Sequence, residues 1–157
     1  MYIFTPNTLI KSAEINANFA EPITNAKLDT SVGELGGAWQ TWTPTITGFS
    51  ANPTGGIYRY KLIGKLIIVS ISMPNAGTSN ATTLTITAPF TAATITNMIW
   101  SASGTVVDNT STIVLGSGRI LPNENIINFY TGPSSSNVWT ASGTKRVAFL
   151  TIIYEVA

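Results

Sequence analysis

Side-chain chemistry needs groups that move protons, attack carbonyls or ligate metals, and this chain is poor in all of them. It contains no histidine and no cysteine. That removes Ser-His-Asp and Cys-His nucleophilic sites, zinc centres of the usual ligand types, and disulfides. The seven acidic residues are Glu14, Glu21, Asp29, Glu34, Asp108, Glu124 and Glu155, the first four of them near the N-terminus. Glycoside hydrolysis uses two carboxyl groups about 5 to 9.5 Å apart. Asp108 (in Val-Asp-Asn-Thr) and Glu124 (in Pro-Asn-Glu-Asn) are the pair to consider, and both look like turn residues. No glycine-rich phosphate loop precedes a helix. An enzyme is not expected, nor is a metal or cofactor.

Binding chemistry is better represented. Trp39, Trp42, Tyr58 and Tyr60 read either as a platform for stacking sugars or as packing residues, and packing is the preferred reading. Trp100 and Trp139 stand in more polar stretches, and Trp139 follows the Gly132–Ser136 loop. Exposed loops carry function more often than scaffolds do, so both are candidate receptor contacts, although a structural role for each is the preferred reading. Arg59 and Lys61 flank Tyr60 at i, i+2 and share one side of a strand. A solvated sheet edge, where lysine discourages aggregation, is the preferred reading, and contact with an anionic envelope polymer is the alternative.

The elements that must carry these residues follow from composition and pattern. Of 157 residues only 10% are charged, against roughly 25% in an average domain. Thr, Ile and Val number 24, 19 and 8, about a third of the chain, and they favour pleated sheet. The net charge of +1 is too small and too dispersed for a nucleic-acid surface. No apolar run approaches the ~18 residues of a membrane helix, so membrane insertion is not expected. Met1–Pro6 lacks the basic start and apolar core of a secretory leader.

Residues 1–38 differ from the rest, holding more than half of the acidic residues and the only good helical stretch, and read as a separate N-terminal segment. Ser12 is a suitable N-cap, Glu14 lies in the first turn, and Ile15 and Phe19 stand at i, i+4. Ile23 continues that apolar line, although Pro22 ends or kinks the helix before it. A helix this short is marginal in water and must dock on something. Gly33, Gly36 and Gly37 then form a joint.

Residues 39–157 read as strands separated by turns. Thr41–Gly48 alternates with period two, and Ile57–Ile63 and Leu66–Met73 flank Gly64-Lys65 as a tight hairpin. Thr82–Ala88, Thr94–Ala102, Gly104–Val107, Thr112–Leu115, Ile126–Tyr130, Ser136–Thr140 and Arg146–Val156 are further strand candidates. Gly77–Asn80, Asp108-Asn109, Gly116–Gly118 and Gly132–Ser136 carry turn chemistry. The expected fold is mainly β, an antiparallel, jelly-roll-like sandwich. Leu66–Val69 and Val147–Tyr154 are apolar at successive positions, whereas a sheet with one wet face alternates. These two strands call for a second cover. The N-terminal helix, a long loop or another copy of the chain would serve; another copy is the preferred cover, and central strands in a thick single-chain core are the alternative.

Three segments together resemble small bacteriophage tail-fibre and virion fibre proteins. Phe4–Phe19 is similar to their extended strand leading into an Ala-x-x-Asn-x-x-Phe helix. Trp39-Gln40-Thr41-Trp42-Thr43-Pro44-Thr45 resembles their Trp-x-x-Trp-Thr-Pro-Thr segment, and Gly56–Lys65 their Gly-x-Tyr…Gly-Lys hairpin. Order and spacing agree over about the first 75 residues. The resemblance implies a receptor-binding-type structural protein of the virion, on tail or capsid, that trimerises and attaches through its N-terminus. Ile15, Phe19 and Ile23 would then serve attachment and trimerisation. The implied partners are further copies, other virion proteins, and a host-surface glycan or protein. A capsid-attached head fibre and a bacterial carbohydrate-binding or adhesin module are the alternatives.

Overall fold

The structure, a computed structural model, describes residues 38–109 and 112–157. The expected N-terminal helix, with Ile15, Phe19 and Ile23, lies outside the described residues. Among those described there are eleven strands and no helix. The strands are β1 (Gln40–Thr41), β2 (Ile46–Thr47), β3 (Phe49–Ala51), β4 (Ile57–Ile63), β5 (Leu66–Ser72) and β6 (Gly77–Ser79). They continue with β7 (Leu84–Thr87), β8 (Trp100–Asp108), β9 (Val114–Ile120), β10 (Ile126–Tyr130) and β11 (Thr144–Glu155). All pair antiparallel in one sheet of order β1-β4-β5-β11-β8-β9-β10-β7-β2, with β6 pairing β11 and β3 off this path. The expected mainly-β antiparallel class is therefore present, as a single curled sheet.

β11 sits at its centre, between β5 and β8, and a bulge sets its side-chain parity. The register with β8 shifts between Val147 and Phe149, so Ala148 is the extra residue. A one-residue insertion flips the faces beyond it. Lys145 and Val147 point inward before the bulge; Leu150, Ile152 and Tyr154 point inward after it, all fully buried. Val147, Leu150, Ile152 and Tyr154 pack with Ile67, Val69, Ile71, Val106, Ile86, Leu84, Ile127 and Phe129 in one core.

Several expected turns and strands came out otherwise. Gly116–Gly118 is the middle of β9, and Gly77–Ser79 is β6. These glycines make room instead of bending the chain. A Cβ on Gly116 would stand 2.6 Å from Tyr130 O and from Val106 Cγ1, and one on Gly118 would be 2.9 Å from Leu150 Cδ1. Gly77 likewise lies under the Phe49 ring, 2.6 Å from where its Cβ would be. A strand glycine marks close approach as readily as a turn. Conversely, Ser136–Thr140 is not a strand, because Ser134 N donates to Asn137 Oδ1 and Asn137 N to Ser134 O, local bonds that compete with a ladder. Residues 94–99 are also off the sheet, turned at Asn97 with φ 62°. The Gly64-Lys65 hairpin forms in the expected register, Ile63 opposite Leu66, with Gly64 at φ 59°.

Candidate functional site

The two ends of the sheet, β1 and β2, come from one short stretch of chain, and Trp42 between them spans the seam. Its backbone N–H donates to Tyr58 O on β4 (3.3 Å). Its indole Nε1–H donates to Thr87 O on β7 (3.0 Å). Thr45 completes the seam by exchanging bonds with Thr87: its N–H donates to Thr87 Oγ1 (2.8 Å) and its carbonyl accepts from Thr87 N (3.0 Å). Trp42 also meets Tyr58 and Tyr60 edge to face, at 5.8 and 6.2 Å between ring centroids. The packing reading of Trp42, Tyr58 and Tyr60 thus describes their geometry.

Beside this seam lies a cleft of about 530 Å³. Trp42, Tyr58, Pro44 and Pro53 supply its apolar wall, and Thr41, Thr43 and Asn52 supply hydroxyl and carboxamide groups. No charged residue lines it. The Tyr58 hydroxyl is buried without a hydrogen-bond partner and would be struck by a Cβ on Gly56. Burial pushes its pKa above the ordinary 10.0. Sequence reasoning had the aromatic residues but not the cleft, since Asn52 joins them only through the curl of the sheet.

A second cluster escaped the sequence reading altogether. Lys145 is fully buried, with Nζ donating to Ala81 O (2.7 Å) and Thr83 O (2.8 Å). The ammonium also stands 5.3 Å from the Phe49 ring centroid and 5.8 Å from that of Trp139. Desolvation lowers its pKa, and the Asp108 charge opposes that shift. Asp108 Oδ2 accepts from Thr140 N and Oγ1, both at 2.9 Å, while Oδ1 is buried and unpartnered. The group ties the β8 and β11 ends to the loops at 80–83 and 140.

The candidate receptor residues are scattered. Trp139 is in the core at 1% exposure, its indole N–H donating to Phe129 O (2.8 Å). This corrects the exposed-loop expectation: residues 133–138 are outside, but the tryptophan that ends the loop turns in. Trp100 is half-buried and packs edge to face on Tyr154, 6.5 Å away. Arg59 is exposed on the outer face of β4, its guanidinium 5.0 Å above the Trp39 ring. Lys61 lies two residues along that face, partly covered. Asp108 and Glu124 are not brought together. Trp100 pairs with Ile120, so Glu124 lies beyond that end of β8 and Asp108 at the other, roughly 25 Å of strand away.

The outer sheet face carries the other notable feature. Ile57, Leu66, Leu115, Phe149 and Ile153 keep between 45% and 62% of their surface exposed. The register sets Ile153 opposite Ile68 beside Leu66, Thr105 between Phe149 and Leu115, and Ile57 opposite Ser72. Comparison with family models, curated proteins and solved structures returns no match.

Proposed function

We propose that the chain is a non-enzymatic structural protein of a bacteriophage particle, a homotrimeric fibre or receptor-binding-type component with a jelly-roll-like β-domain. Segment 1–38 is its attachment end, and residues 39–157 are displayed at the virion surface. The observation that carries this reading is the outer apolar stripe across β5, β11 and β9. An exposed apolar set of this kind marks an association face, and the described residues leave about half of Phe149 and Ile153 uncovered. The segment resemblances at Phe4–Phe19, Trp39–Thr45 and Gly56–Lys65 supply the virion context. Light scattering on the full chain at micromolar concentration is the test. A mass of three 16.6 kDa chains is expected, and a monomer overturns the reading.

A further inference from the structure

We infer that the seam cleft between Trp42, Asn52 and Tyr58 binds a neutral saccharide. The inference takes from the proposed function only the bacterial surface as the source of the sugar; the binding stands on the cleft itself.

Its size comes first. At about 530 Å³ it falls within the roughly 300–1,000 Å³ of small-molecule sites. Its chemistry comes second. A sugar ring presents apolar C–H faces and a perimeter of hydroxyls that both donate and accept. The cleft offers the matching set: Trp42, Tyr58, Pro44 and Pro53 for the C–H faces, and Thr41, Thr43 and Asn52 for the perimeter. Hydroxyl and carboxamide side chains both donate and accept. Thr41, Thr43 and Asn52 spend none of this capacity on other described side chains, in contrast to Thr47 and Thr87, which are engaged at the seam.

The same features weigh against other ligands. With no charged lining residue, the cleft has nothing to offset the desolvation of a phosphate or carboxylate. A proline-rich peptide also favours aromatic grooves, but its prolines present carbonyls without N–H groups, so it needs donors from the wall. The Trp42 indole N–H is given to Thr87 O and the Tyr58 hydroxyl is buried, which leaves Thr41, Thr43 and Asn52 as the donors, so the octaproline arm of the test separates a peptide from a sugar. What stays available suits a polyol.

The test is ligand-observed NMR on the full chain with neutral oligosaccharides of glucose, galactose, rhamnose and N-acetylglucosamine at millimolar concentration. An octaproline peptide and a sialylated trisaccharide serve as the other arms. Saturation transfer to at least one neutral sugar is expected, weakened tenfold or more in the double variant Asn52→Ala/Thr43→Ala. Both positions are exposed, and an unchanged melting profile for the variant separates lost contacts from lost fold. No neutral sugar binding, binding unaffected by the double variant, or preference for either other arm would overturn the inference. Mass measured in the same samples tests the trimer separately, so the two can fail independently.

Discussion

The two faces of β11 and its neighbours have similar residue types and opposite circumstances. On the inner face Val147, Leu150, Ile152 and Tyr154 have essentially no surface left in water. On the outer face Phe149 and Ile153 keep about half of theirs, beside Leu66 on β5 and Leu115 on β9. One strand thus carries one apolar set for the fold and another that the fold does not consume. The difference teaches that apolar content alone does not show which contacts hold the chain together. The bulge at Ala148 makes that division, because it puts Val147 and Leu150, three positions apart, on the same side.

Substitution on the inner face should have the largest effect. Leu150 packs over Gly104 and Gly118, which have no Cβ to fill space if it shrinks. Leu150→Ala should therefore destabilise the fold by about 2–5 kcal/mol, measured by chemical denaturation. A loss under ~1 kcal/mol would mean that the core is looser than its burial indicates.

The outer face should respond in the opposite sense. Phe149→Ser with Ile153→Ser should leave the β-domain folded, with a stability change within about 1 kcal/mol for the separated chain. Sedimentation should then show monomers in place of the proposed trimer. An intact trimer carrying both substitutions would move the interface elsewhere on the molecule.

Alkaline titration tests the inner face more gently. Tyr154, buried and donating to Phe90 O (2.9 Å), has its pKa pushed up to about 12 from 10.0 by burial. A raised value means that the unfolded chain ionises first. The stability contribution is complete below pH 10 and is lost as pH rises from about 10 toward about 12. Tyr58 contributes in the same direction. Lys145 works the other way: with its pKa lowered from 10.5, the folded form sheds its proton first, so stability gains as pH rises toward 10.5. Tyr154→Phe should flatten the loss above pH 10 in urea melts taken at successive pH values. An unchanged alkaline slope would show that this phenol is not the responsible group.

The smallest effect belongs to the cleft. Tyr58→Phe removes a buried hydroxyl that has no partner, so the fold should be unaffected or gain up to ~1 kcal/mol. A loss above that in thermal melts would reveal a hydrogen bond that the static geometry does not contain.

Read from the residues, the β class was plain, because Ile, Val and Thr at period two fit a pleated sheet and little else. The β4–β5 hairpin was equally plain, since Gly64 supplies a positive φ that marks a turn locally. The aromatic character of the cleft was also visible in Trp42 and Tyr58. What the residues alone did not decide was everything that depends on distant partners. Gly116 and Gly118 look like a turn until Val106, Phe129 and Leu150 occupy the space above them. Trp139 looks exposed until its indole N–H finds Phe129 O. Lys145 looks like one more surface lysine until the loop at 80–83 turns two carbonyls toward it. Local propensity records what a short stretch of backbone prefers, whereas burial and hydrogen-bond satisfaction depend on strands far away in sequence. Pleat, hairpin and polarity therefore follow from local residue types, whereas parity, seam and cleft need contacts tens of residues apart, as between Trp42 and Thr87.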